Sequence, residues 1–470
     1  MKRLSFYLAG EFVSSGSHLS VINPFTQQSE AEIALAEVEH INIAIDRAEN
    51  CKKEYQNWSS LNISKALFKI AEGIDERTEE FAQTICAESA KPYKYAKGEV
   101  LRAIETFRIA AFEATRLPHE LIFLDAAASG AGLKGRVEYF SAGIVAGISP
   151  FNFPLNLVAH KIAPAIATKS PIILKPSSKT PLTALLLAEL IAACDLPKGA
   201  VSILPCSRQV GDALVTDPRI KVLSFTGSPD IGWDMKNRAG KKRVVLELGG
   251  NAAAIVHDDV KLNTAVGQLV VGAFAYSGQV CIHTQRIYVQ EKVYNEFLSK
   301  FIEATKNLAH GAPHEKHCDF SVMIDESNAK RLELWLQEAL EAGAKLVMGG
   351  KRKGLFFEPT IVSNTTKGMR IHDEEVFGPI VCVNPFSDLD DAIKQVNNSR
   401  FGLQAAIFSE HQPSIEKCFA ELEVGAVITN LSTTYRSDQM PYGGVKDSGF
   451  GREGVKYAMM DYLEPKLLVF

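Results

Sequence analysis

The chain has 470 residues, 46% of them hydrophobic and 23% charged, with a net charge of −4. These values fit a globular protein of about three domains with a large core. Acids and lysines are interspersed, so no basic face points to nucleic acid as a partner. The longest apolar stretches, Ile162–Ile173 and Leu182–Cys194, are broken by Pro, Lys, Thr or Glu. Neither reaches the ~20 uninterrupted residues of a membrane span, so no membrane partner is expected. Met1-Lys2-Arg3-Leu4 turns polar too soon for a signal peptide. Eight cysteines lie dispersed at 51, 86, 194, 206, 281, 318, 382 and 418, with no C-x-x-C. That spacing argues for reduced thiols in the cytoplasm and against a zinc ribbon or disulfide frame.

In chain order, the first third reads helical. Val38–Trp58, Ser64–Glu88 and Tyr95–Arg116 carry apolar residues at three- and four-residue intervals. Glu120–Ala127 and Gly135–Phe140 then flank a Ser-Gly-Ala-Gly turn, which predicts a long β-hairpin. Short apolar runs at Ile144–Ile148, Pro171–Leu174, Val201–Leu204, Lys221–Phe225 and Val244–Leu248 alternate with helical patterns. Strand and helix in alternation predict an α/β fold with a parallel sheet. Ligands on such a sheet bind at the C-terminal ends of the strands. A second α/β set begins near Ala252 and runs to Ala426–Thr429. The last run, Lys466–Phe470, is strand-like and needs a partner edge.

Two stretches fit G-x-G-x-x-G, Gly130 to Gly135 and Gly449 to Gly454. The first leads into a strand rather than a helix, and the second follows no strand, so neither reads as a dinucleotide fingerprint. His314-Glu-Lys-His317-Cys318 has metal-like residue types in a polar loop, without the i, i+4 histidine pairing of a helical zinc site. No metal is expected.

Phe225-Thr226-Gly227-Ser228-Pro229 is more informative. A strand ends, Gly227 lets the chain turn, Ser228 suits the cap and Pro229 the first helical position. Such a helix start, aimed from the strand ends, is a natural anion site. Cys281 lies in Tyr276-Ser-Gly-Gln-Val280-Cys281, after a long apolar run and a turn-permissive Gly278. A thiolate is the strongest nucleophile a side chain offers near neutral pH. Asn152, Lys175 and Glu247 each end or follow a buried strand. A carboxylate inside an apolar run is costly without a partner or a task. Cysteine, carboxylate, amide and lysine together make the parts list for acyl chemistry.

In these residues the chain resembles the aldehyde dehydrogenase superfamily over nearly its whole length. The matching stretches are Pro150-Phe151-Asn152-Phe153-Pro, Lys175-Pro-Ser, Phe225-Thr-Gly-Ser228, Glu247-Leu-Gly-Gly-Asn251, Gly278-Gln-Val-Cys281, Glu374-Glu375-Val-Phe377-Gly-Pro and Pro441-Tyr-Gly-Gly-Val-Lys446-Asp-Ser-Gly. The pattern around Asp438 to Lys446 is most like the lactaldehyde and succinate-semialdehyde types. The resemblance implies a Rossmann-like cofactor domain (1–121 and 142–248) and a second α/β catalytic domain (249–440). Segments 122–141 and 455–470 would form a small β hairpin and tail that build a homodimer or homotetramer. In the family, that tail strand pairs with a neighbour's sheet.

The resemblance also implies roles. Cys281 would attack the aldehyde and carry a thiohemiacetal, then a thioester. The Asn152 amide and the Cys281 N–H would hold the oxyanion. Glu247 would activate water for deacylation. Phe151, Lys175, Ser178, Thr226, Gly227, Ser228, Glu375 and Phe377 would line the site for NADP or NAD. Ser178 stands where strictly NAD-using relatives often carry Glu, so NADP is expected to be accepted. Phe153, Val280, Arg102 and Arg436 are the candidate substrate residues. Val280 and Phe153 favour a small, neutral, unphosphorylated aldehyde, while Arg102 and Arg436 pull the other way. A CoA-acylating enzyme is the alternative, with Glu247 against it. A cysteine hydrolase using His283 as base is a weaker one.

Overall fold

The computed structural model of the chain describes residues 2–470. Five strands, Ile144–Ile148, Ile172–Lys175, Val201–Ile203, Ile220–Thr226 and Arg243–Glu247, form the parallel heart of an eight-stranded sheet. The chain starts at Ile144–Ile148 in the middle and builds outward through Ile172–Lys175 to Val201–Ile203. It then returns to the other side with Ile220–Thr226 and Arg243–Glu247. The order reverses between Ile144–Ile148 and Ile220–Thr226, and a crevice opens at such a reversal beyond the carboxyl ends of the strands. These strands are almost wholly buried, as near-continuous apolar runs require of a sheet covered on both faces.

The sheet's outer strands come from distant parts of the chain. Phe6–Leu8 and Glu11–Val13 add to one side antiparallel, and Gly449–Phe450 pairs antiparallel with Arg243–Glu247 on the other. Helix Val455–Asp461 follows, and its Val455 and Met459 join the same core.

A second, seven-stranded sheet contains Ala252–Val256, Thr284–Gln290, Ile380–Phe386, Thr360–Ser363, Gln404–Phe408 and Ala426–Thr429 in parallel, with Lys345–Met348 antiparallel at its edge. The chain passes from one sheet to the other through Leu248-Gly249-Gly250-Asn251. A Cβ on Gly250 would lie 2.3 Å from the Cys281 carbonyl oxygen, so this crossing brings the two sheets together at the cysteine.

The α/β expectation therefore holds, with three differences in detail. Residues 2–34 carry five short strands, of three to six residues. Three of them are three residues long, too short to show a period. The predicted helix Ser64–Glu88 is two helices, Ser60–Glu76 and Thr78–Ser89, broken at Arg77. There the Thr78 hydroxyl donates to the Asp75 carbonyl and competes with the helical ladder. The hairpin is His119–Phe123 with Lys134–Ser141, and the tail strand Leu463–Val469 finds its edge on this same hairpin. Among the described residues, no helix is long and apolar enough to cross a membrane.

Candidate active site

Each chemistry-bearing residue sits where a strand or helix ends. Asn152 follows strand Ile144–Ile148, and Lys175 closes Ile172–Lys175. Thr226 closes Ile220–Thr226, and Ser228 heads helix Pro229–Arg238. Glu247 closes Arg243–Glu247. The turn before Cys281 is tighter than its sequence suggests. Helix Leu262–Phe274 ends, and Tyr276, Ser277 and Gly278 take φ values of 51°, 54° and 68° in succession. A Cβ on Gly278 would meet the Gly378 carbonyl oxygen at 2.2 Å, so only glycine fits there. This left-handed turn redirects the chain and brings Cys281 out ahead of strand Thr284–Gln290.

Cys281 is half-buried, while the other seven cysteines are buried. Two cavities meet at it, sharing Leu157 and Cys281 in their walls. One, of about 460 Å³, is lined by Phe151, Asn152, Lys175, Ser178, Thr226, Gly227, Ser228, Glu247, Glu375 and Phe377. The other, of about 260 Å³, is lined by Phe153, Val280, Arg102 and Arg436, together with Lys91, Lys94, Glu99 and Tyr442. The fold thus separates the two groups of residues and leaves the thiol accessible from both sides.

The larger cavity has the features of a dinucleotide site. The Ser228 hydroxyl does not cap its own helix, which leaves it and the helix N-terminus facing the cavity. Lys175 is held against the cavity wall, and burial lowers its pKa. Lys179 pairs with Asp325 at the rim. The Glu375 carboxylate accepts the Gly250 N–H at 2.9 Å, and burial raises its pKa to about 7. Phe377, at φ 47°, packs edge-to-face on Phe151 with ring centroids 5.8 Å apart.

The electrostatics around the thiol are set by burial. The Cys281 pKa is pushed up to about 11, chiefly by burial, and a hydrogen bond with Tyr442 works against that rise. Both carboxylate oxygens of Glu247 are buried without a hydrogen-bond partner among the described residues. Burial first, then the neighbouring Glu453, raise Glu247 well above the usual carboxylate range. Burial alone would raise Glu453 too, but Lys161 and Arg436 outweigh it and hold Glu453 at about 2. Lys161 donates to Glu453, Ser224 and Thr226 at 3.2, 3.0 and 2.8 Å. Two neighbouring buried carboxylates are thereby driven apart, Glu453 downward and Glu247 upward.

Asn152 is buried, and its side-chain nitrogen donates to the Gln279 carbonyl at 3.0 Å. An amide nitrogen has two hydrogens. One is spent fixing the amide, which leaves the second for an oxyanion.

Residues 12–468 match the model of the aldehyde dehydrogenase family. The chain belongs to this family. It is an aldehyde oxidoreductase that uses NAD or NADP. It is 39% identical over 470 residues to the 3-sulfolactaldehyde dehydrogenase of Priestia aryabhattai, covering 100% of this chain and 98% of that one. The crystal structure of aldehyde dehydrogenase 21 from Physcomitrella patens, solved with the reaction product succinate, is 46% identical. It superposes with a TM-score of 0.98 over 100% of this chain and 98% of that one. A glyceraldehyde-3-phosphate dehydrogenase from Methanocaldococcus jannaschii, solved with NADP, is 36% identical. Its TM-score is 0.93 over 97% of this chain and 100% of that one.

The fold also places the residues of the side readings. In this aldehyde dehydrogenase Gly130 and Gly132 lie in the turn of the hairpin, Gly135 lies in its second strand, and Gly449–Phe450 is an edge strand. His314 and His317 are exposed on a turn. His283 lies off both cavity walls, and burial lowers its pKa to about 4. Sequence reading left Lys91, Glu99, Lys161, Tyr442 and Glu453 without roles. Two signals existed: Lys161 is a charge beside His160 in the otherwise apolar run 157–167, and Tyr442 lies inside the stretch Pro441 to Gly449.

Proposed function

We propose that this aldehyde dehydrogenase oxidises a small, unphosphorylated aldehyde bearing an anionic group to its carboxylate, through a thioester on Cys281, with NADP accepted. The observation that carries the reading is the position of Cys281 where the two cavities meet. The thiol borders both cavities, so an aldehyde in the smaller one and a cofactor in the larger one would each reach it. A bound nicotinamide cofactor would accept the hydride.

The remaining steps belong to the chain's own residues. Cys281 attacks the carbonyl carbon, and the free Asn152 N–H and the Cys281 N–H hold the oxygen as it gains charge. Splitting the oxidation into thioester formation and hydrolysis makes two easier steps. Glu247 takes a proton from the water that attacks the thioester. Phe151, Phe377, Glu375, Lys175, Ser178, Thr226, Gly227 and Ser228 would hold the cofactor, with Ser178 placing no carboxylate against a 2′-phosphate.

The anionic group departs from the neutral aldehyde that Val280 and Phe153 suggested. Lys91, Lys94, Arg102 and Arg436 all line the smaller cavity, where Lys91 is paired with Glu99 and Lys94 with Asp319. Arg102 pairs with Asp438 and Arg436 with Glu453, yet the Arg436 Nε is buried without a partner. Relatives named for 3-sulfolactaldehyde, or solved with succinate, handle molecules of that class.

The division into a cofactor domain (1–121, 142–248), a catalytic domain (249–440) and oligomerisation segments (122–141, 455–470) is part of the same reading, except that helix Val455–Asp461 packs in the core of the first sheet and leaves Leu463–Val469 as the tail strand on the hairpin. Exposed Leu121, Phe123, Leu467, Leu468 and Val469 on the three-stranded hairpin sheet support a homodimer or homotetramer. Free, mostly buried cysteines support a cytoplasmic setting. The test is reduction of NADP or NAD at 340 nm with a panel of anionic and neutral aldehydes, with and without CoA. Turnover without CoA, fastest for anionic aldehydes, is expected. Turnover only with CoA, or only with neutral aldehydes, contradicts the reading.

A further inference from the structure

Tyr442 has no part in the chemistry described so far, yet it touches the reacting atom. Its phenol oxygen lies 3.1 Å from Cys281 Sγ. Its ring is buried, and the Arg436 guanidinium lies 3.7 Å from the ring centroid. Arg436 is fixed in turn by its ion pair with Glu453, at 3.1 Å.

We propose that Tyr442 is a further catalytic residue, which donates its hydroxyl hydrogen to the Cys281 sulfur whenever that sulfur is a thiolate. This deepens the reading of Cys281 as nucleophile and rests on it. A thiol and a phenol can share a hydrogen in either direction, but a thiolate only accepts. Tyr442 serves only while it stays protonated. Burial, and then the neighbouring Cys281, hold it well above the usual phenol range, so it remains a donor when the thiol ionises. The cation stacked on its ring draws electron density from the phenol and sharpens the O–H as a donor.

The balance around the sulfur gives this bond its weight. Tyr442, Glu375, Arg436 and Glu247 are the titratable groups that act on Cys281. Glu375 and Glu247 disfavour the thiolate, and Arg436 favours it from behind the Tyr442 ring. Among the described residues, Tyr442 is the one whose side chain hydrogen-bonds the sulfur. In a site where burial opposes ionisation, one charge-assisted hydrogen bond decides how much thiolate exists near neutral pH.

Tyr442→Phe removes a single oxygen and keeps the ring under Arg436. The measurement is the rate of Cys281 alkylation by iodoacetamide against pH, with the modified peptide identified by mass and C281S as the blank. Neither aldehyde nor cofactor is present, so the result stands apart from whether the enzyme oxidises any aldehyde. Failure of that broader reading would show separately, as no NADP reduction by the wild type. The expected result is an apparent thiol pKa about one to two units higher in Tyr442→Phe, and alkylation at pH 8 slower by about tenfold or more. Superimposable profiles, or a lower pKa in the variant, would overturn the proposal.

Discussion

Lys91 and Glu99 form an ion pair with both side chains fully buried, in the wall of the smaller cavity. The other Glu99 oxygen accepts the backbone N–H groups of Leu155 and Asn156, at 2.8 and 3.1 Å. Lys91 Nζ also lies 3.7 Å from the Phe153 ring centroid. The pair therefore grips the turn that carries Asn152 from two sides.

Breaking that pair is expected to damage the fold. Lys91→Met leaves the Glu99 charge buried and unpaired, at a cost of about 3–5 kcal/mol. The double variant Lys91→Met/Glu99→Gln removes both charges and is expected to recover part of the loss. Urea unfolding followed by tryptophan fluorescence measures both. A single variant as stable as wild type would show that the pair does not hold the turn.

Glu247 has no other partner, so its replacement should act on one step. Glu247→Gln is expected to keep a burst of about one reduced cofactor per active site and to slow steady turnover by about 10²–10⁴-fold. Stopped-flow absorbance at 340 nm reads both phases. Loss of the burst would mean that Glu247 also takes the thiol proton.

Glu375 is expected to tie cofactor binding to pH. Burial raises its pKa to about 7, so it is neutral below that value and ionised above it. A carboxylate that accepts ribose hydroxyls works in its ionised form. The cofactor KM is expected to rise as pH falls through about 7, and Glu375→Gln to flatten that dependence at a uniformly higher KM. An unchanged pH profile in the variant would remove Glu375 from the cofactor site.

Ser178 tests cofactor choice. Ser178→Glu puts a carboxylate in the cavity beside Lys175. Like charges brought together cost several kcal/mol, so kcat/KM for NADP should fall by about a hundredfold while NAD is little affected. An equal fall for both cofactors would place position 178 away from the 2′-phosphate.

Much of the fold was legible because parallel strands buried on both faces must be apolar along their length. Ile144–Ile148 and Arg243–Glu247 were each found to within one residue at either end. Three of the strands in residues 2–34 were hidden, since three residues carry no period. The break at Arg77 was also hidden, because the apolar spacing continues across it. Within the site, Asn152, Glu247 and Cys281 were legible as polar residues at the ends of apolar runs. Tyr442 and Glu453 were not, because their meaning lies in what they face. Glu453 sits in the run Gly449 to Gly454, which read only as a failed glycine fingerprint. Its ion pairs reach Lys161 and Arg436, one of them nearly three hundred residues away.

The most direct measurement concerns the thioester. Glu247→Gln mixed with NADP and an anionic aldehyde, quenched in acid, should carry the acyl group as added mass on the Cys281 peptide. It should form in step with one equivalent of reduced cofactor, and C281S should show neither. Reduced cofactor without an adduct on Cys281, or undiminished turnover by C281S, would contradict the account.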